Sequence, residues 1–93
     1  MTLFKKADEI MNELGYTLIE ENKFGASYTR AECSYVHQID IIRLKEGPGM
    51  YSVFSYERGF NSDLFNNSVK LTNLEIEALQ KKYRELYHKY GKL

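Results

Sequence analysis

The stretch Tyr35-Val36-His37-Gln38-Ile39-Asp40-Ile41-Ile42-Arg43-Leu44 decides the fold class. Successive strand side chains point to opposite sides, so Val36, Gln38, Asp40, Ile42 and Leu44 share one face and Tyr35, His37, Ile39, Ile41 and Arg43 the other. Both sets mix apolar and polar residues, which suits a central strand with one face covered by helices and the other wet. The stretch runs into Lys45-Glu46-Gly47-Pro48-Gly49, a turn by its Gly-Pro content. Met50 to Tyr56 then returns as a strand, with Met50, Ser52, Phe54 and Tyr56 on one side.

Upstream, Tyr16–Glu21 and Ala26–Arg30 read as two strands of a hairpin around the turn residues Asn22-Lys23-Phe24-Gly25. Ala31 to Ser34 forms a connector. Before the hairpin, Leu3, Ala7, Ile10, Met11 and Leu14 fall at helical spacing and predict a helix over 3–14, capped by Thr2. Gly15 is its left-handed stop residue, and Tyr16 packs back on the last turn.

Downstream, Thr72-Asn73-Leu74-Glu75 is a capping box, with Leu71 and Ile76 at the positions of a hydrophobic staple. The helix it starts runs to about Tyr90, with Ile76, Leu79, Tyr83, Leu86, Tyr87 and Tyr90 on its apolar stripe and Gly91 as its stop. Acidic residues in the first turn and basic ones in the last suit the helix dipole. The polar, Asn-rich segment 57–68 is predicted to be a loop pinned by Phe60, Leu64 and Phe65. Val69 and Leu71 read as one further strand-like step.

The order is helix, antiparallel strands, helix. It predicts a single α+β domain over residues 1–93: an N-terminal helix, a three- to four-stranded antiparallel meander, and a long C-terminal helix, both helices on one sheet face. Hydrophobic residues at 43% and charged residues at 28% are ordinary globular values, which argue against disorder. No apolar run approaches the ~18 residues of a membrane span. The start Met1-Thr2-Leu3-Phe4-Lys5-Lys6 does not read as a signal peptide. One cysteine, Cys33, cannot make an internal disulfide. The expectation is a soluble, cytoplasmic protein.

The 13 basic and 13 acidic residues balance, so the whole chain implies no general affinity for nucleic acid or anionic lipid. The C-terminal helix is locally basic, however. Lys81, Lys82, Arg84, His88 and Lys89 read first as a solvated face, and as an alternative contact for a phosphate backbone or an acidic partner.

The chemistry-bearing candidates are few. Cys33 and His37 could form a thiolate–imidazolium pair, but they fall in a connector and a strand, where nothing orders them. The bland expectation is a half-buried loop cysteine and a solvent-facing strand histidine. His37 and His88 lack the further ligands that zinc needs, and Glu20 and Glu21 fall on opposite strand faces. Gly47-Pro48-Gly49 is short and not followed by a helix, so it reads as a hairpin turn rather than a phosphate loop. No catalytic, metal or cofactor site is expected.

Eight Tyr and five Phe leave a sharper question. Tyr28, Tyr35, Tyr51 and Tyr56 could line an exposed sheet face. A base-stacking platform would need surrounding lysines and arginines. A protein-binding face fits the neutral charge better, and half-buried tyrosines completing a small core fit best for most of them.

The pieces Ala7-Asp8-Glu9-Ile10-Met11-Asn12-Glu13-Leu14-Gly15-Tyr16 and Val69-Lys70-Leu71-Thr72-Asn73-Leu74-Glu75-Ile76-Glu77-Ala78-Leu79 bracket a tyrosine-rich meander. This layout resembles small proteins of prophages and mobile elements in low-GC Gram-positive bacteria. The resemblance spans nearly the whole length and rests on a helix stop and a helix start. That group has no assigned activity, so no functional residue is implied. What the resemblance implies is a bacterial or phage cytoplasm and an accessory role. The functional expectation is a non-enzymatic interaction protein, with Tyr51, Phe60 and Phe65 as partner-binding anchors. The alternative is a nucleic-acid binder using Lys81, Lys82, Arg84 and Lys89. A homodimer is compatible with either.

Overall fold

The computed structural model describes residues 5–45, 49–59 and 70–93, and residues 65–68 as backbone. Strand alternation builds a single sheet of antiparallel neighbours in the order β1 (Thr17–Asn22), β2 (Gly25–Ala31), β3 (Tyr35–Arg43), β4 (Tyr51–Gly59) and β5 (Phe65–Ser68). Helix α1 (Ala7–Glu13) precedes the sheet and α2 (Asn73–Tyr90) follows it. This is the α+β order expected, with a short fifth strand added to the meander. Part of the anticipated 57–68 loop is therefore strand. Glu57–Gly59 lengthens β4, and Phe65 and Ser68 pair with Arg58 and Tyr56 across a register shift. Asn66 and Asn67 hide the strand from propensity, because an edge strand can be held by backbone pairing alone. Phe60 and Val69 lie outside the described residues, and Leu71 belongs to no strand.

Helix α1 is shorter than the 3–14 expected. Lys6 has extended backbone, at φ −77° and ψ 160°, so the helix starts at Ala7, and the anticipated Thr2 cap lies outside the described residues. Its end follows the expectation closely. Gly15 takes φ +93°, its N–H donates to Asn12 O, and the Tyr16 N–H donates to Met11 O at 2.9 Å. Those two bonds satisfy carbonyls that the helix would otherwise orphan, and they deliver Tyr16 into the core.

The register assigns the two sheet faces. His37, Ile39, Ile41 and Arg43 of β3 stand beside Arg30, Tyr28 and Ala26 of β2 and Glu57, Ser55, Val53 and Tyr51 of β4. Both helices cover this face. Ile10 and Met11 of α1 and Ala78 and Leu79 of α2 form one core with Tyr16, Tyr28, Ile39 and Ile41. Fully burying each of the larger aliphatic side chains contributes about 1.5–3 kcal/mol. Gly25 begins β2 where the chain passes so close to β3 that an added Cβ would sit 1.9 Å from Ile41 O. Arg43 closes the far end: its guanidinium donates to Lys23 O at 2.8 Å and to Gly91 O, tying the β1–β2 turn to the end of α2.

The capping box of α2 forms as expected. Thr72 Oγ1 accepts from Glu75 N at 3.2 Å, and Glu75 Oε1 accepts from Thr72 N at 2.8 Å. The inward stripe of this helix is rotated from the one expected. Glu75, Ala78, Leu79, Lys82 and Leu86 are buried, while Ile76 is 41% exposed and Tyr87 and Tyr90 are exposed as well. Two ionic groups occupy the inward line because Lys82 meets carboxylates of α1, β1 and its own helix, and Glu75 accepts hydrogen bonds from Tyr16 and Thr72. No helix among the described residues is long and apolar enough to cross a membrane.

Candidate functional site

Three places in the fold gather polar or exposed groups. The first is the sheet face that neither helix covers. Register puts Gln38, Asp40 and Ile42 of β3 there with Ser52, Phe54, Tyr56 and Arg58 of β4. The Tyr56 hydroxyl donates to Asp40 Oδ2 at 2.7 Å and Gln38 Nε2 donates to Asp40 Oδ1 at 2.8 Å, so the polar centre of this face is held in place. Around it Ile42 is 42% and Phe54 50% exposed, and Phe24 and Met50 are exposed at the same end of the sheet. Toward β1 the face sinks into a shallow concavity of about 390 Å³, lined by Glu20, Phe24, Ser27, Gln38, Asp40 and Ile42. Among the described residues no ion pair engages Glu20 or Asp40.

The second is a polar chain on the helix side. Tyr16 Oη donates to Glu75 Oε2 at 2.5 Å, and the same oxygen lies 2.8 Å from His37 Nδ1. His37 Nε2 lies 2.8 Å from Ser55 Oγ. The hydrogens can be ordered by elimination. A carboxylate only accepts and a phenol has one proton, so that proton goes to Glu75. Arg30 Nη2, 3.4 Å from Nδ1, can only donate, but the 2.8 Å Tyr16 contact is much the shorter; in the neutral ring Nδ1–H therefore donates to the Tyr16 oxygen, and Nε2 is left to accept from the Ser55 hydroxyl. Burial pushes the Tyr16 phenol well above its usual range, and the Glu75 contact adds to the effect. Burial, with the Arg30 charge 3.4 Å from Nδ1, holds His37 below its ordinary value, against the pull of Glu75, Glu57 and Glu32. Burial raises the Glu75 carboxyl, but hydrogen bonds from Thr72 and Tyr16 outweigh it and leave the group below the usual carboxylate range. His37, expected to face solvent, is 2% exposed. Its neighbours satisfy both ring nitrogens, which is what permits a buried histidine.

The third is centred on Lys82, expected on a solvated basic face and in fact 0% exposed. Its Nζ lies 3.1 Å from Asp8 Oδ1, 2.5 Å from Glu21 Oε1 and 2.8 Å from Glu85 Oε2. Burial pushes the ammonium down, but these three carboxylates push it up by more. Hydrogen bonds from Lys82 and Lys89 hold the Glu21 carboxyl down at about 2. Oxygens of Asp8, Glu21 and Glu85 all lie within 4.8 Å of one another, a spacing that could hold a cation. The lysine ammonium already fills that role.

These placements redistribute the residues singled out in the sequence. Of the basic helix residues, Lys82 is sealed in the core, Lys89 pairs with Glu21 at 2.6 Å, Lys81 donates to Lys5 O, and Arg84 is exposed. They do not form one free basic surface. Of the four tyrosines proposed for an exposed face, only Tyr56 is there. Tyr28 is buried under α1 and donates to Asp8, and Tyr35 shares the His37 face. Tyr51 stacks on Tyr83 with ring centroids 4.5 Å apart, on the helix side. Its strand parity opposes that of Phe54. Phe60 and the Phe65 side chain lie outside what is described. Cys33 is exposed rather than half-buried, and the hydroxyl partner of His37 is Ser55. The parity of Ser55 with His37 was readable from the strand pattern; the contribution of Tyr16 and Glu75 from two distant helix termini was not.

Comparison with protein-family models, with curated proteins and with solved structures found no match to this chain.

Proposed function

We propose that the chain is a non-enzymatic interaction module that docks another protein on the uncovered sheet face. The observation that carries this reading is the exposure of Ile42 and Phe54 around a rigidly held Asp40, on the one face of the sheet that no helix covers. An ordered polar centre ringed by apolar groups is the composition of a recognition surface. The charges favour one kind of partner. Glu20 and Asp40 line the same concavity and, among the described residues, neither is in an ion pair, so the fitting surface presents an arginine or lysine beside apolar side chains. Addition of a partner strand is less favoured, because β1 carries a bulge between Leu18 and Glu20 and the charged Glu20 and Glu21, and β5 has four residues. An accessory role in a phage or mobile-element setting is the biological counterpart of this reading, supported by the resemblance in layout.

The test is capture from a Gram-positive lysate with three baits: wild type, Asp40→Lys/Phe54→Glu, and Arg84→Glu. A partner retained by wild type and Arg84→Glu at equal amounts, lost with the double variant, and itself basic at the contact supports the reading. Equal recovery by all three baits, or no stoichiometric partner with any, overturns it.

A further inference from the structure

The ordered hydrogens of the Glu75–Tyr16–His37–Ser55 chain have a chemical consequence that does not depend on the docking face. Ser55 donates its only proton to an imidazole nitrogen 2.8 Å away. The opposite nitrogen is held in the protonated form by Tyr16, whose own proton is committed to Glu75. A hydroxyl, a base in contact with it, and a third group that fixes the tautomer of the base are the components of an activated nucleophile. The third group here is a phenol backed by a carboxylate rather than a carboxylate alone. Ser55 is partly exposed as a residue, unlike Tyr16 and His37, and the labelling experiment reads whether a reagent reaches its Oγ.

We propose that Ser55 is a nucleophile activated by His37, and a site of covalent modification by small acyl or phosphonyl donors. In the step, Ser55 Oγ bonds to the carbonyl carbon or phosphorus while the bond to the leaving alkoxide, phenoxide or fluoride breaks. The hydroxyl proton passes to His37 Nε2 and from there to the leaving group. No oxidant, metal or further reactant is needed. A single transfer is claimed, not turnover, so the step is compatible with a binding role for the chain. The imidazolium formed in passing is stabilised by Tyr16 and Glu75 on its far side, and Arg30 opposes it. Glu57, directly across the strand pair from His37, and Glu75 face the Arg30 guanidinium around the same ring, so charges of both signs surround it. Tyr16 is a positioning residue in this scheme, since it acts through His37.

The experiment treats the purified full chain near neutral pH with a neutral alkyl fluorophosphonate and with p-nitrophenyl acetate, and locates the adduct by peptide mass spectrometry. One adduct per chain on Ser55 is expected. Its rate should rise with pH through a single inflection below the ordinary histidine value. His37→Gln should slow labelling by about 10²-fold or more, the usual contribution of a positioned base. Tyr16→Phe should slow it by less and move the inflection. Adducts on tyrosines or lysines in place of Ser55, no adduct on wild type at excess probe, or a His37→Gln rate equal to wild type would overturn the proposal. Because the adduct is mapped on wild type, the result stands even where a variant folds poorly; circular dichroism of each variant separates lost folding from lost reactivity.

Discussion

Replacing Lys82 by Met tests whether the ionic centre of α2 holds the fold as the geometry says. Met keeps most of the aliphatic stem and removes the ammonium. Asp8, Glu21 and Glu85 are then left with oxygens within 4.8 Å of one another and no cation among them, apart from the outer contact of Glu21 with Lys89. Breaking a buried pair by removing one partner costs about 3–5 kcal/mol. Here Asp8 and Glu85 have partly exposed side chains and can rehydrate, whereas Glu21 is mostly covered, so the cost falls to about 2–3 kcal/mol. For a chain of this size that lowers Tm by on the order of 10–20 °C. The pH dependence identifies the cause. Glu21 has its folded value depressed to about 2, so its contribution is complete above the unfolded carboxylate range near 4.5 and is lost as pH falls toward 2. The gap between wild type and Lys82→Met should therefore be widest near neutrality and shrink below pH ~4.5. Urea denaturation of both proteins at several pH values measures it. A loss under about 0.5 kcal/mol at neutral pH, or a gap unchanged at pH 3, would refute the reasoning.

Other expectations follow from single contacts. His37 is buried and held below its ordinary value, so the unfolded chain binds more protons than the folded one as pH drops below ~6.5, and stability falls there; His37→Gln should flatten that limb of a denaturation series between pH 8 and 5. Gly25→Ala forces a Cβ onto Ile41 O and should cost more than about 2 kcal/mol in urea denaturation, and more than the same change at Gly49, where the added carbon meets no atom within 4 Å and only the left-handed backbone at φ +83° opposes it. Thr72→Ala removes the cap oxygen and should cost about 1 kcal/mol. In a cycle of Tyr16→Phe and Glu75→Gln, the two losses should be non-additive by about 1 kcal/mol or more, because one hydrogen bond joins them.

Local grammar and long-range chemistry were legible in the sequence to different degrees. Gly15-Tyr16 and Thr72-x-x-Glu75 are read correctly from four or five neighbouring residues because the hydrogen bonds that define them are themselves local. The parity of β3 is read correctly because period two follows from strand geometry, but which parity faces the helices does not follow from it. Both sets are mixed, and the choice is made by Ile39 and Ile41 packing under α1 and α2. The C-terminal helix shows where apolar periodicity misleads. Counting apolar residues centres the stripe on Tyr83 and Tyr87, yet the helix turns Glu75 and Lys82 inward. Lys82 gains three carboxylates from α1, β1 and its own helix, and Glu75 gains the Tyr16 hydroxyl, so neither reaches the core as a bare charge. Glu85 is the helical neighbour three residues on, but Glu21 and Asp8 stand 61 and 74 residues away from Lys82 and Tyr16 stands 59 from Glu75, beyond any helical or strand period. The same displacement uncovers Ile76, Tyr87 and Tyr90 and removes Lys82 from the basic surface. It also recruits the cap glutamate into the chain that orients His37. One rotation of one helix thus weakens the nucleic-acid reading and assembles the contacts that prepare Ser55 for attack, and both effects trace to carboxylates placed far apart in the sequence.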